Sequence, residues 1–264
     1  MLLAIDVGNT NTVFALHDGT AFLAEWRTAT ESTRTADQYF VWLRQLMQHF
    51  GHDIEAIDEV VISNTAPATL FNLRVFCDRY FGCRPLVVGK DDCDLPVEVR
   101  VDNPAEVGPD RLVNTVAAYD AYGPDLIVLD FGTATTFDVV GGDGAYEGGV
   151  IAPGVNLSLE ALKNAAAHLP QVDITQPQQV VGTNTVACIQ SGAFYGYIGL
   201  IEGVCARITA ERERPMTVIG TGGLSPLFAR ATDVISKIDA DLTMRGLVLI
   251  RDHNRAGARQ AAHG

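Results

Sequence analysis

The sequence predicts an α/β protein made of two related lobes, each a mixed sheet flanked by helices, with a cleft between them. Three observations lead there. Apolar strand-like runs alternate with segments of helical spacing, as in a sheet with helices packed on it. In each half an apolar run ends in Asp-x-Gly and then small hydroxyl or amide side chains. These are Asp6-Val7-Gly8-Asn9-Thr10-Asn11-Thr12 after residues 2–5, and Asp130-Phe131-Gly132-Thr133-Ala134-Thr135-Thr136 after residues 126–129. The chain has 264 residues and is 47% apolar, enough for two lobes that share a cleft and bury a substantial core.

The elements follow in order. Residues 2–16 read as a strand, a tight turn at 6–11 and a returning strand at 12–16, and His17-Asp18-Gly19 turns the chain again. Phe40, Leu43, Leu46, Met47 and Phe50 recur at helical spacing, which predicts a helix over 35–50. A buried strand at 59–63 ends at Asn64 and Pro67, a second helix covers 70–81, and 85–88 is another strand. The proline-rich stretch 94–109 is a loop long enough to be functional, and 110–122 is a helix between the lobes. The second half repeats the grammar: strand 126–129, turn 130–135, strand 136–140, turn 141–144, strand 145–151. Helices at 157–168 and 185–211, a strand at 216–219, a glycine-rich turn Gly220-Thr221-Gly222-Gly223 and a short helix from Pro226 complete it. The halves read as diverged copies of a βββαβα-type unit, with lobes at 1–115 and 116–255 and a frayed tail at 256–264.

Composition narrows the function classes. A net charge of −13 argues against a nucleic-acid surface, which needs clustered Lys and Arg. No stretch is long and apolar enough to span a membrane, and no basic segment leads into a sustained apolar run at the start. Cys77, Cys83, Cys93, Cys188 and Cys205 are odd in number and not tightly paired, the pattern of reduced thiols in a cytoplasmic protein. His17, His49, His52, His168, His253 and His263 are scattered, and none is expected to bind a metal.

The two turns carry the chemistry of a polyphosphate site. Glycine lets backbone approach a phosphate, and successive N–H groups form an anion-binding hollow. Asn9, Thr10, Asn11 and Thr12 add donors without bulk, and Asp6 at the strand end suits Mg²⁺ held through water. An ordinary hairpin turn has the same composition; the second copy, which a hairpin does not foresee, favours the phosphate reading. An ATP-dependent phosphotransferase fits, with local N–H groups and a cation outweighing the acidic global field. In Asn103-Pro104-Ala105-Glu106-Val107-Gly108-Pro109-Asp110-Arg111, Pro109 suits a helix start and Asp110 its first turn. The helix start and Arg111 favour an ionised Asp110 able to accept a proton from an alcohol, and Arg111 can fork onto a carboxylate or phosphate. A plain helix cap with an exposed ion pair gives the same pattern. Thr185, after Asn184, either caps the next helix or faces a ligand. Gly192, Gly196 and Gly199 form a small-residue stripe for close helix packing, within a subunit or across a dimer.

Together these segments resemble the type III pantothenate kinases of the acetate kinase–sugar kinase–Hsp70–actin superfamily, over nearly the whole chain. The marks are DVGNTNT at 6–12, NPAEVGPDR at 103–111, DFGTATTFD at 130–138, GGVIAPG at 148–154, NTVACIQSG at 184–192 and GTGG at 220–223. The resemblance implies actin-like (ribonuclease H-like) lobes. It also implies transfer of the γ-phosphate of ATP to the primary hydroxyl of pantothenate, giving 4'-phosphopantothenate in the first step towards coenzyme A. By the same resemblance, Asp6, Val7, Gly8, Asn9, Thr10, Asn11, Thr12 and Val13 with Thr133 form the ATP site. Asp110 matches the general base, and Gly108, Pro109, Asp110, Arg111 and Thr185 match the pantothenate site. Asp130 matches the residue that binds a monovalent cation, K⁺ or NH₄⁺, beside the Mg²⁺ that accompanies ATP. The family is homodimeric, with no nucleic-acid or membrane partner expected. Pro109 stands where the family usually has alanine and so lacks an N–H, and Val101 stands where a tyrosine is frequent. Two other readings remain: another small-molecule kinase or phosphohydrolase of the superfamily, and a non-catalytic nucleotide-binding regulator.

Overall fold

The structure, a computed structural model, describes residues 1–90, 93–166 and 169–261. The first half holds β1 (Leu2–Val7), β2 (Asn11–His17), β3 (Phe22–Ala29), α1 (Ala36–His49), β4 (Glu59–Asn64), α2 (Leu70–Phe81), β5 (Leu86–Val87) and α3 (Pro109–Tyr122). The second holds β6 (Leu126–Phe131), β7 (Ala134–Val140), β8 (Tyr146–Pro153), α4 (Val155–Ala165), α5 (Thr185–Arg212), β9 (Thr217–Gly222), α6 (Ser225–Ala229), β10 (Lys237–Ile238) and α7 (Leu242–Ala261). Two five-stranded sheets share one plan, β3-β2-β1-β4-β5 and β8-β7-β6-β9-β10. In each, three strands form an antiparallel meander and two more add in parallel beside the first. The internal duplication expected from the paired turns is therefore present in strand order and direction.

The chain forms two compact units. The first comprises residues 1–98, 102–117 and the segment from Thr243 onward; the second comprises 99–101 and 118–242. In the first, β1 is buried on both faces, as a central strand covered by helices must be. Leu3, Ile5 and Val7 pack with Leu43, Met47 and Phe76 of α1 and α2. Leu2 and Ala4 point the other way, into a cluster with Val113 and Val116 of α3 and Met244, Leu247 and Ile250 of α7. A Cβ on Gly246 would lie 2.2 Å from the Val113 carbonyl oxygen, so only glycine lets α7 approach α3 this closely. Thr35 and Gln38 cap α1 reciprocally, and α2 stops at Gly82, whose φ is 61°.

In the second unit Ile127, Leu129 and Phe131 of β6 meet Phe194 and Ile201 of α5 and Phe228 of α6. The Phe131 and Phe228 rings stack with centroids 5.1 Å apart. Asn184 caps α5 by accepting from the Ala187 N–H at 2.9 Å.

Some expectations need correction. The glycine-rich turn expected at 220–223 is mostly strand: Gly220, Thr221 and Gly222 pair with Leu129, Asp130 and Phe131, Gly222 ends β9 with φ 85°, and only Gly223 lies beyond it. The tail expected to fray from 256 is helical to Ala261, because the helix is anchored by Met244, Leu247 and Ile250 in the first unit. That anchoring places α7 with the first unit, whereas the sequence assigns 116–255 to the second lobe. The expected helix 157–168 ends at Ala165, and residues 167–168 and 262–264 lie outside the described residues. His168 and His263 are among those. Among the described residues no helix is long and apolar enough to cross a membrane.

Candidate active site

Strand register builds the first half of the site. Asp6, at the end of β1, pairs with Val13 of β2 and Ser63 of β4, and Val13 pairs with Arg27 of β3. Residues directly opposite in a ladder share a face, so Arg27, Val13, Asp6 and Ser63 form one row. It lies on the face that carries Leu2 and Ala4, the face covered by α3. Asp6 Oδ1 and Ser63 Oγ are buried without a hydrogen-bond partner. Burial pushes the Asp6 carboxyl up to about 7; the nearby Ser63 hydroxyl, short of hydrogen-bond geometry, lowers it, the Asp110 charge raises it further and Arg27 pulls it down.

The turn after Asp6 is held tightly. The Gly8 N–H donates to the Asn11 carbonyl at 2.9 Å. Thr30 donates its hydroxyl to the Gly8 carbonyl at 2.7 Å and its N–H to the Thr10 carbonyl at 2.9 Å. Its Oγ also lies 2.9 Å from Thr12 Oγ. From the other side, Thr65 gives both its N–H and its hydroxyl to the Val7 carbonyl, each at 2.9 Å. Asn9, Thr10 and Asn11 are exposed, while Val7, Thr12 and Val13 are buried. Of the residues expected to bind ATP, the exposed trio can offer side chains to a ligand. The Val7 and Val13 side chains serve the core.

Asp110 completes this half. Pro109 opens α3, where its missing N–H leaves no bond unmade. The Asp110 carboxylate folds back over Gly108 and accepts from the Arg111 N–H at 2.9 Å. A Cβ at position 108 would lie 2.5 Å from Asp110 Oδ1, so any larger residue there would displace the Asp110 carboxylate from this position. Burial raises the Asp110 carboxyl above its ordinary value, against the Arg111 N–H and charge, which lower it. This corrects the sequence expectation that the helix start and Arg111 would hold it low: desolvation wins. A raised carboxyl is a better proton acceptor once ionised.

In the second unit Asp130 pairs with Thr136 of β7 and Thr221 of β9, so a carboxylate lies between two hydroxyl-bearing residues in the ladder. A Cβ on Gly222 would lie 2.7 Å from Asp130 Oδ1, and its absence lets β9 pass close by. Gly132 and Thr133 are exposed at the turn. Gly154 backs them: its N–H donates to the Thr133 carbonyl at 3.0 Å, and a Cβ there would lie 2.3 Å from that oxygen. Tyr197 fixes the same corner by donating to the Pro153 carbonyl at 2.8 Å. Thr185 begins α5, exposed; the cap is Asn184, which leaves the Thr185 side chain out of that role. Sequence reasoning did not find Thr30, Ser63 or Thr65. Only Ser63 left a signal, as the polar end of a buried strand.

The profile of the type III pantothenate kinase family matches residues 2–207. The protein described as "Type III pantothenate kinase" from Dinoroseobacter shibae is 68% identical over 255 residues, covering 97% of this chain and 99% of that one. The chain belongs to the type III pantothenate kinase family. The chain is therefore a kinase, with ATP and pantothenate as its substrates and a divalent metal ion accompanying ATP. Among solved structures, a Campylobacter jejuni protein described as a Baf family transcriptional activator aligns with TM-score 0.60 at 18% identity, covering 96% of this chain and 99% of that one. A Sinorhizobium meliloti protein described as a 2-dehydro-3-deoxygalactonokinase aligns with TM-score 0.59 at 14% identity, over 95% and 96% of the two chains. At these identities the likeness concerns the fold, and it agrees with the actin-like class expected from the sequence.

Proposed function

We propose that Asp110 is the general base for phosphorylation of pantothenate by ATP. The observation that carries this is the placement of two carboxylates on one face of the first sheet, Asp6 beside the glycine turn and Asp110 at the start of α3. Asn9, Thr10 and Asn11, with Gly8 giving close approach, receive phosphates through N–H and side-chain donors; Thr133 adds a hydroxyl. Val7, Thr12 and Val13 shape this turn from within. Asp110 takes the proton of the primary hydroxyl as the γ-phosphoryl group leaves ATP, a contribution of about 10²–10⁴-fold in rate for a positioned base. Gly108 and Pro109 shape the acceptor side, Arg111 pairs with the pantothenate carboxylate, and Thr185 adds a further contact.

The residues fit the cations. Asp6 has a buried oxygen without a partner and a second carboxylate whose charge is felt there, a combination that Mg²⁺ relieves through its water shell. That ion supplies charge neutralisation to the phosphates. Asp130 with the Thr136 and Thr221 hydroxyls is an all-oxygen set suited to K⁺ or NH₄⁺. A homodimer is supported by α5 and its neighbours. Gly192, Gly196 and Gly199 have open space where a Cβ would point. Leu157 and Leu162 of α4 and Val186 of α5 are exposed. We place the enzyme in the cytoplasm, where its nucleotide is made and used.

ATP consumption measured with pantothenate, with a sugar or acetate as acceptor, and with none separates the readings. Pantothenate-dependent turnover is expected. ATP binding without turnover would favour the regulator.

A further inference from the structure

We propose that Thr30 is a positioning residue for the nucleotide, which sets the shape of the phosphate turn through three contacts without touching ligand. The inference rests on the reading that the turn at 6–12 receives the phosphates of ATP. Thr30 stands just past the end of β3, far from the turn in sequence, and no motif of the family resemblance includes it. Its hydroxyl donates to the Gly8 carbonyl, 2.7 Å away. Its N–H donates to the Thr10 carbonyl, and its Oγ meets the buried Thr12 hydroxyl.

The consequence follows from peptide geometry. A trans peptide is planar, with C=O and N–H pointing opposite ways. Tying the Gly8 carbonyl to Thr30 turns the Asn9 N–H to the opposite side of its peptide plane. Tying the Thr10 carbonyl to Thr30 does the same for the Asn11 N–H. Exposed glycine and asparagine backbone is otherwise free to rotate these groups, and each rotation removes a donor from the anion hollow. Thr30 therefore pre-organises the donors, so the ordering entropy is spent at folding and not at binding. Thr65, on the Val7 carbonyl, braces the other end but doubles a bond that its own N–H already makes.

The test is steady-state kinetics on Thr30→Val, Thr30→Ser, Thr65→Val and Gly8→Ala, with melting temperatures measured in parallel. Valine keeps the branched shape and the main-chain bond and loses only the hydroxyl. The expected result for Thr30→Val is a rise of about tenfold in KM for MgATP, the effect of one hydrogen bond to a part-buried carbonyl. KM for pantothenate should stay within about twofold and Thr30→Ser should sit near wild type, as a local bracing role requires. A purely structural threonine would lower the melting temperature and leave KM for MgATP unmoved; that result overturns the proposal. Gly8→Ala separates the two layers of the argument, because its Cβ would come within 3.1 Å of the Asn11 carbonyl inside the turn itself. If Gly8→Ala raises KM for MgATP and Thr30→Val does not, Thr30 is no positioning residue although the turn binds nucleotide. If neither moves it, the phosphate reading of the turn falls and this inference with it. Should Thr30→Val fail to fold, Thr30→Ala removes the same hydroxyl: a comparable rise in KM for MgATP supports the proposal, and no change overturns it. Thr65→Val, which keeps the main-chain bond to the Val7 carbonyl, should leave KM for MgATP within about twofold.

Discussion

Replacing Asp6 by asparagine should make the protein more stable and inactive at once, and the gain should depend on pH. Asparagine keeps the shape of the neutral acid but cannot ionise. In the folded protein the Asp6 carboxyl sits at about 7 against an ordinary 3.8. At about 1.4 kcal/mol per unit, ionising it above pH 7 takes on the order of 4 kcal/mol from the folded state. The sign is fixed by which state holds the proton. Below about pH 4 the carboxyl is protonated in both folded and unfolded chains, and no penalty arises. Between about pH 4 and 7 the folded chain keeps a proton that the unfolded chain has released, so stability falls as pH rises. Above about pH 7 the whole penalty stands.

Asp6→Asn should therefore match wild type near pH 4 and gain on the order of 10 °C in melting temperature at pH 8, taking roughly 2–4 °C per kcal/mol for units of this size. Thermal unfolding followed by circular dichroism from pH 4.5 to 8.5, in chelator and without nucleotide, measures it. Adding MgATP should narrow the gap at pH 8, because the wild-type carboxylate then has a cation to face. A difference in melting temperature that stays constant across the pH range would refute the reasoning, as would a variant less stable than wild type at pH 8.

Asp110→Asn should lower kcat by at least about 10²-fold with ATP affinity nearly unchanged, checked by turnover and by titration with a non-hydrolysable analogue. In wild type the rate should climb with pH as Asp110 loses its proton, with a midpoint above the usual carboxylate range because burial raises it; the variant should lack this limb. Activity should need K⁺ or NH₄⁺ and fail in Na⁺ alone, and Asp130→Ala should abolish the preference; equal rates of wild type in both salts would count against the cation assignment.

Most of the fold is legible in the sequence where local pattern and tertiary role coincide. β1, β4 and β6 are buried on nearly every residue, so their apolar runs stand out. β3 is an edge strand on which only Trp26 is buried, and its sequence shows no clean alternation. α7 escaped because its apolar anchors lie in the first half and Gly246 and Gly257 interrupt it; Gly246 is there for the close approach of α3, a reason no local pattern carries. The end of β9 reads as a turn because Gly220 and Gly222 look like breakers, yet Gly220 faces the Ile235 side chain at 3.1 Å from where a Cβ would be. The motif residues were equally visible, and their environment was not. The upward shift of Asp110 comes from burial, a tertiary effect that opposes the local helix-start argument. Thr30 acts across 22 residues of sequence on a carbonyl, and a main-chain acceptor leaves no mark in a side-chain motif.

The duplicated sheets explain why two acidic turns exist and why they are unlike. In both, an aspartate closes the strand around which the sheet is built, and the parallel neighbour puts a hydroxyl opposite it: Ser63 opposite Asp6, Thr221 opposite Asp130. The meander partner differs, Val13 against Asp6 and Thr136 against Asp130. That single change alters the chemistry of the row. Burial, with the Asp110 charge adding to it, pushes the proton affinity of Asp6 up, and its Oδ1 has no hydrogen-bond partner, whereas Asp130 has hydroxyl-bearing residues on both sides in the ladder. On the proposed function, the row with the unsatisfied acid suits a charge that arrives with substrate, and the row of oxygens an ion that stays. Side chains alternate along a strand, so one inserted residue in β1 would swing Asp6 to the face of α1 and α2 and separate it from Asp110. On the proposed function, the spacing from Leu2 to Asp6 is thus a functional constraint as much as a packing one.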